Sequence, residues 1–551
     1  MKTAKYTVIA ALMLLCAIPG GAQSKGFRMG KWIEIQTALL QQLNMHYVDS
    51  LPIDRIERAG IDAMLENLDP YTVYIPEEEN EDLQMMLNKS YGGIGAIIYK
   101  PDKNGNVLIN EPYKGSPAER YGLRCGDEIL AIDGVSTHGL TASESSDRMK
   151  GKPGTKVTFK VKKVWTSDTV DVTVIRERIH LPDVEYYGML NDTTGYILQT
   201  GFTENVSEDV RSAFLDLKSK GMKVLFYDLR GNGGGLLSEA VKIVSLFVPK
   251  GSTVVSQKGN DNSREMVYKT VMDPVDTGMP IVVLVNSGTA SASEIVSGAL
   301  QDLDRATIMG SRTFGKGLVQ GIQPLPYNGQ LKVTIAKYYT PSGRCVQAID
   351  YAHRNEDGSV GHIPDSLTHE FTTVGGRKVR DGGGITPDDT LKATSYSRLT
   401  YSLVVNGIIE QYAMKYVASH RSITPVEPTL KAYDDSPSSW FRFGDEDYSD
   451  FVQYAKGREF DYRSSARALF DQMKEQLEKD GLAGNMSSEL EALKKALEMD
   501  KEQFLLLKKD EIIPFIEEEI AVRYLWQSAG IQVRLRYDDA LREAMTKPRL
   551  F

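Results

Sequence analysis

The pattern of apolar and polar positions changes character three times along the chain. Trp32, Ile35, Leu39, Leu43 and Tyr47 recur at helical spacing. A second helix is predicted over Asp54 to Leu68, with Ile56, Ala63 and Met64 on its inner face and Asp69-Pro70 ending it. From about residue 88 to 180 the runs become short and β-like. Val107-Leu108-Ile109 and the alternation of Val157, Phe159 and Val161 read as strands, Ser116-Pro117 opens a short helix, and Gly126 to Gly134 reads as a strand closing in an Asp-Gly turn. From about 185 to 395, continuous apolar runs at Tyr196-Leu198, Val224-Tyr227, Ile281-Val285 and Thr307-Met309 alternate with helical segments. Such runs belong to strands covered on both faces, hence an α/β core. From about 396 helical spacing returns, with Ala466, Leu469, Phe470, Met473 and Leu477 on one face and Leu490, Leu493, Leu497 and Phe504 on another; Asp434 to Asp450 reads as a linker.

Composition narrows the function. With 551 residues, 41% hydrophobic and 25% charged, the chain is globular, and its length predicts about three or four domains. Lys+Arg 65 against Asp+Glu 74 gives a net charge of -9, which argues against a nucleic-acid partner. Cys16, Cys125 and Cys345 are too few for a disulfide framework, and no Cys/His cluster has zinc-site spacing, so no metal is expected. Residues 1–22 combine basic Lys2 and Lys5, an apolar stretch from Tyr6 to Ile18 and small Gly20, Gly21 and Ala22, the pattern of a cleavable secretory signal. Leu15 ahead of Cys16 argues against a lipoprotein signal, and no later run is long and apolar enough to span a bilayer. The expectation is an exported, soluble protein, periplasmic or extracellular.

The candidate chemistry sits in three loops. Asn286-Ser287-Gly288-Thr289-Ala290-Ser291-Ala292-Ser293-Glu294 follows a buried strand and leads into a helix, which places the Ser291 hydroxyl where free N–H groups and the positive dipole end favour a developing anion. The local alternative is that Ser291 only caps the helix, with Glu294 completing a capping box. Leu229-Arg230-Gly231-Asn232-Gly233-Gly234-Gly235 follows another buried strand, and its glycines let backbone N–H groups approach an anion. Gly310 to Gly317 nearly spells a phosphate-binding loop, but Gly317 stands where a magnesium-binding hydroxyl belongs and no second acidic ligand accompanies it, so nucleotide hydrolysis is not the expectation. Lys316, between two glycines, can instead be desolvated and supply a neutral amine to deprotonate a serine. A Ser-Lys dyad needs none of the seven scattered histidines.

The spacing Thr289-Ala290-Ser291-Ala292-Ser293-Glu294 then Phe314-Gly315-Lys316-Gly317-Leu318-Val319-Gln320 resembles the carboxyl-terminal processing proteases, the S41 family of serine peptidases. Asp228 to Gly235, Tyr338-Tyr339-Thr340-Pro341-Ser342-Gly343-Arg344 and Gly384-Ile385-Thr386-Pro387-Asp388 resemble further motifs of that family, and Tyr91-Gly92-Gly93-Ile94-Gly95 with Gly115 to Gly134 resembles a PDZ domain. The resemblance implies a multidomain α+β protein. Its parts are a signal peptide at 1–22, a helical N-terminal region at 23–87, a PDZ β-module at 88–180, a ClpP/crotonase-like α/β protease core at 181–395 and a helical C-terminal extension at 396–551. It further implies a serine endopeptidase with Ser291 as nucleophile, Lys316 as general base and then acid, Gln320 orienting the lysine from a shared turn, and Gly234 and Ala292 as oxyanion donors. Gly93, Ile94 and Gly95 would bind the C-terminus of a polypeptide substrate, no cofactor is implied, and the helices at both ends make a homodimer a reasonable expectation. The alternative from another class is an inactive PDZ scaffold that binds peptides without cutting them. Residues 354–380 and the last ~155 residues carry no motif that suggests a role.

Overall fold

The computed structural model describes residues 24–549 except 81–82, 84, 86–87, 102–103, 165, 261–264, 356, 393–394, 421–442, 463–464 and 498–499. The expected signal peptide, with Cys16, and most of the expected linker lie outside the described residues. The chain divides into a unit ending at Tyr74 and a larger one beginning at Ile75.

The first unit holds helices α1 (Lys25–His46) and α2 (Ile53–Glu66). The helix α1 starts ahead of the apolar repeat because Ser24 caps it, its hydroxyl accepting from Phe27 N–H at 3.2 Å. The expected inner faces are not buried: Trp32, Ile35, Leu39, Ile56 and Met64 are exposed, and Leu65 is the buried position of α2. Periodicity places a stripe on a helix but does not supply the element that covers it.

In the larger unit the β-module is a sheet in the order β2 (Ala96–Tyr99), β3 (Val107–Pro112), β4 (Glu128–Ile132), β5 (Lys156–Lys162) and β6 (Thr169–Ile175), while β1 (Ser90–Gly93) pairs with β7 (Glu177–His180). Asp133 and Gly134 both take positive φ, 47° and 80°, the primed turn that an Asp-Gly pair favours, and return the chain to pair with β4. Val107, Ile109, Ile129, Val157, Phe159 and Val161 form its core. The strand β2 lies at the edge of the sheet, with α3 (Ala142–Met149) packed beside it. Arg176 holds the end of α3, donating to Met149 O at 3.0 Å and Arg148 O at 2.8 Å.

The core sheet runs β8 (Val184–Met189), β9 (Thr194–Gln199), β10 (Val224–Asp228), β13 (Ile281–Val285), β14 (Thr307–Gly310) and β17 (Asp389–Thr390), with only β8 antiparallel to its neighbour. The hairpin β15 (Leu318–Pro324) and β16 (Gln330–Tyr339) forms a second sheet with β11 (Thr253–Lys258) and β12 (Met266–Lys269). Alternate side chains of the core strands face opposite ways. Ile197, Leu225, Val283 and Val285 pack under α4 (Val206–Ser219), α5 (Leu237–Ser245) and α6 (Ala292–Asp302). Tyr196, Leu198, Phe226, Val282 and Leu284 pack instead against Ile531, Leu535, Leu541 and Ala544, near the end of the chain. Both faces are covered, as the apolar runs require, and the second cover comes from the C-terminal helices. Residues 354–380, which carried no sequence signal, contribute to two small hairpins, pairing 349–354 with 360–362 and 370–372 with 378–380.

Those helices are α7 (Arg398–Val405), α8 (Ile408–Ser419), α9 (Asp445–Lys456), α10 (Ser465–Lys479), α11 (Ser487–Leu497), α12 (Lys501–Leu507), α13 (Lys509–Leu525), α14 (Gln527–Arg536) and α15 (Asp539–Thr546). The expected linker is corrected at its end: Asp445, Glu446 and Asp447 form the first turn of α9, where acidic side chains complement the helix dipole. Two predicted faces are also corrected. In α10 Phe470 is buried while Leu469 and Met473 are exposed, and the Leu490 to Phe504 face is divided between α11 and α12.

Candidate active site

Ser291 sits at the carboxyl end of the core sheet, between β13 and α6, where ligands of open α/β sheets bind. The turn that presents it is tied to the glycine loop after β10. Asn286 Oδ1 accepts from Gly288 N–H at 3.0 Å and Gly231 N–H at 2.9 Å, and Thr289 Oγ1 donates to Leu229 O at 2.8 Å. Ser291 itself has φ 58° and ψ -117°, a strained conformation for a residue with a Cβ, costing about 1–3 kcal/mol. Such a sharp strand-to-helix turn pushes the side-chain hydroxyl out of the backbone. Its hydroxyl makes no cap hydrogen bond to the helix, so the capping alternative accounts only for Glu294 reaching back to the Ser291 N–H.

The Glu294 carboxylate is fully buried and accepts four hydrogen bonds. Oε2 takes Ser291 N–H at 2.9 Å and Lys316 N–H at 2.8 Å; Oε1 takes Gly315 N–H at 2.7 Å and Thr313 Oγ1 at 2.6 Å. Burial pushes its pKa up, and the four donors pull against that rise. One side chain thus joins the serine turn to the lysine loop. The lysine loop is held from its other side as well. Ala348 N–H donates to Gly315 O at 2.9 Å and Gly317 N–H donates to Gln347 Oε1 at 2.8 Å. A Cβ on Gly315 would lie 2.4 Å from Ala348 Cβ, so this loop needs glycine on the N-terminal side of the lysine.

Gly234 packs directly against the serine turn: an added Cβ would lie 2.7 Å from Ala292 N and 2.8 Å from Ser291 Cβ. Its N–H donates to Asn232 Oδ1 at 2.9 Å, inside its own loop. Asn232 is buried and its carbonyl accepts from Ala290 N–H at 3.0 Å and Ser293 Oγ at 2.9 Å, which fixes the glycine loop to the start of α6. Ala292, the first residue of α6, has an N–H with no acceptor within its helix.

Ser291, Ala292, Gly234, Lys316 and Gln320 line one cavity of about 330 Å³, walled by Phe202, Leu237, Ile295, Leu318 and Tyr338. Tyr338 donates to Ser291 O at 3.2 Å. The shared turn expected for Lys316 and Gln320 is absent, because Gln320 lies on β15, where it faces Thr334 of β16 and donates to its Oγ1 at 3.3 Å. Gly93, Ile94 and Gly95 come together elsewhere, at the turn from β1 to β2. Ile94 O accepts from Ala118 N–H at 2.8 Å and Gly95 O from Tyr113 N–H at 2.9 Å, which leaves the turn rigid beside the edge strand. Cys125 and Cys345 are both unpaired thiols. Sequence reasoning read Glu294 only as a local cap and gave no role to Asn232 or Tyr338, whose partners are distant in the chain.

Comparison with known proteins matches residues 193–352 to the model of peptidase family S41, 108–163 to the PDZ domain and 399–547 to the C-terminal helical domain of probable PDZ-proteases. A carboxy-terminal-processing protease of Bartonella bacilliformis is 37% identical over 317 residues, covering 56% of this chain and 71% of that one. A probable CtpA-like serine protease of Staphylococcus aureus is 35% identical over 346 residues, covering 62% and 68%. Among solved structures, the photosystem II D1 C-terminal processing protease is 26% identical, covering 64% of this chain and 91% of that one with a TM-score of 0.35. The chain therefore belongs to peptidase family S41, as a carboxy-terminal-processing serine protease with a PDZ domain and a helical C-terminal domain.

Proposed function

We propose that the protein is an exported endopeptidase that holds a substrate's C-terminus on its PDZ module and cuts the chain with a Ser291–Lys316 dyad. The observation that carries this reading is the single cavity that gathers Ser291, Lys316, Gln320, Gly234 and Ala292. Lys316 takes the proton as Ser291 Oγ attacks the carbonyl and returns it to the leaving amine. Gln320, which uses its amide nitrogen on Thr334, offers its carbonyl oxygen to the lysine amine. The oxyanion takes the N–H of Ala292 and that of Gly234, which exchanges the neutral Asn232 amide for an anionic acceptor, the stronger partner. The basic, apolar and small-residue order of residues 1–22 supports export. Among the described residues no helix is long and apolar enough to cross a membrane.

Capture would add the substrate as a strand on the open edge of β2, its terminal carboxylate on the Gly93-Ile94-Gly95 turn. The test is a pair of identical unstructured polypeptides with apolar C-termini, one free and one amidated. The free form should be cut at least about tenfold faster at sub-saturating concentration, the worth of one good charge-assisted contact. Equal rates remove the capture step, and no cleavage of either form by the intact protein favours the scaffold reading. A second expectation concerns the glycine loop: Gly234→Ala, forced onto φ +94° with its Cβ against Ala292 N, should lower kcat by about 100- to 1,000-fold, as loss of one oxyanion donor does. A kcat within threefold of the parent would show that this loop is not the donor.

A further inference from the structure

The C-terminal helical domain touches two parts of the molecule that the proposed reaction needs, and it touches them with opposite ends of one helix. Two residues beyond the C-terminal end of α14, at the N-cap of α15, Asp538 Oδ2 accepts from Arg230 at 2.6 Å. Arg230 immediately precedes the glycine loop. Its Nε also binds the buried carboxylate of Asp228 at 2.9 and 3.0 Å, and that carboxylate accepts from Tyr196 Oη at 2.7 Å. The other oxygen of Asp538, Oδ1, caps α15 by accepting from Leu541 N–H at 2.9 Å. At the N-terminal end, Gln527 N–H donates to Glu111 Oε1 of the PDZ module at 3.1 Å and Gln527 Nε2 to Glu111 Oε2. Arg523, near the end of α13, donates to the neighbouring Asn110 Oδ1 at 2.9 Å. Glu111 is 3% exposed and lies on β3 directly opposite Ile97 of the edge strand β2.

Between those ends α14 has little freedom. Ala529 and Val533 pack on Ala521 of α13, and a Cβ on Gly530 would lie 2.5 Å from Val522, so the two helices are as close as glycine allows. Ile531 and Leu535 lie on the outer face of the core sheet. A helix of this length spans about 15 Å as a rigid rod. Displacing Glu111 must either carry Gln527 along or strip the buried Glu111 carboxylate of the donors that Gln527 gives it.

We propose that α14 is a strut coupling the PDZ edge strand to the glycine loop, with Asp538 a positioning residue that acts through Arg230. The inference rests on the reading of that loop as the oxyanion site. A peptide added at β2 shifts β3 and Glu111, α14 transmits the shift, and the Asp538–Arg230 pair resets the entry to Gly231–Gly235. The strut predicts that substrate capture raises turnover as well as affinity.

The test uses the full chain and the free and amidated polypeptides, with kcat, KM and Tm measured for each variant. Asp538→Asn keeps the helix cap, for which Asn serves as well as Asp, and removes only the charge facing Arg230. Its kcat should fall about tenfold with KM within about twofold, and Asp538→Glu should stay within about threefold of the parent. Glu111→Ala should lower kcat about fivefold, and the double variant should be no worse than Asp538→Asn alone. In both single variants the kcat advantage of free over amidated substrate should shrink toward one, while the advantage in affinity made at the Gly93-Ile94-Gly95 turn remains. Multiplying single effects in the double variant, an undiminished kcat in Asp538→Asn, or a preserved kcat advantage of free substrate overturns the strut, the last even where a variant is less stable. If Ser291→Ala cleaves like the parent, the underlying site assignment fails; a dead Ser291→Ala beside an unimpaired Asp538→Asn removes the strut alone.

Discussion

Ser291→Ala and Lys316→Ala will each lower kcat by about 10⁴-fold or more while leaving the folded protein intact, because removing either member of a unit that acts together costs nearly the whole of its catalysis. Among the described residues none that lines the cavity is a histidine, so the expectation for Lys316→Ala includes no rescue by an imidazole. Lys316→Arg sharpens the expectation. A guanidinium preserves charge and some reach but does not release its proton at working pH, so the arginine variant should be as inactive as the alanine one. A merely electrostatic role for Lys316 predicts the reverse, substantial activity in Lys316→Arg. Ser291→Gly adds a stability signature. Ser291 holds φ 58° with a Cβ, and glycine adopts that region without the steric cost, so the variant should be inactive yet melt at or above the parent temperature. Initial rates on the free polypeptide and thermal melts decide the set; more than about 1% of parental kcat in Ser291→Ala or Lys316→Arg would end the dyad assignment.

The parts of this site that could be read from the sequence are those carried by residues close together in the chain. Buried strands announced themselves as uninterrupted apolar runs, and the serine, glycine and lysine loops each follow the end of such a strand, at 285, 228 and 310. What stayed hidden depends on contacts between distant residues. Glu294 looks like half of a capping box because its i−3 partner Ser291 is local; its other three donors lie 19 to 22 positions downstream. Gln320 stands four residues after Lys316, a spacing that brings side chains together on a helix but spreads them along a strand, and β15 begins at Leu318. The cover for the outer face of the core sheet comes from Ile531, Leu535 and Leu541, well over a hundred residues after the last full strand of that sheet. No local periodicity could have assigned those helices to that face.

Glu294 should prove as indispensable as the dyad, though for a different reason. Its fully buried carboxylate accepts the N–H groups of both Ser291 and Lys316, and adds Gly315 N–H and the Thr313 hydroxyl. Glu294→Ala leaves three backbone donors and a hydroxyl buried without it, at about 1–3 kcal/mol each, a sum comparable with the stability of a whole domain. That variant should express poorly or melt far below the parent. Glu294→Gln is the informative substitution. Its oxygen can serve Thr313 and Gly315 or the Ser291–Lys316 pair, but its NH₂ group then faces two donors on the other side. If the amide nitrogen turns toward Ser291 and Lys316, their backbones are pushed apart while the fold survives. The expected result is a kcat reduced about 100- to 1,000-fold with KM changed by less than about threefold and a Tm lowered by several degrees, since a displacement near 1 Å at a reacting centre costs about 100-fold. Glu294→Asp, one methylene shorter, cannot reach both loops and should resemble the glutamine variant in kcat. A glutamine variant with parental kcat would mean that the carboxylate supports folding only, and that the distance between the serine turn and the lysine loop is set by the clamps on Gly315 and Gly317 instead.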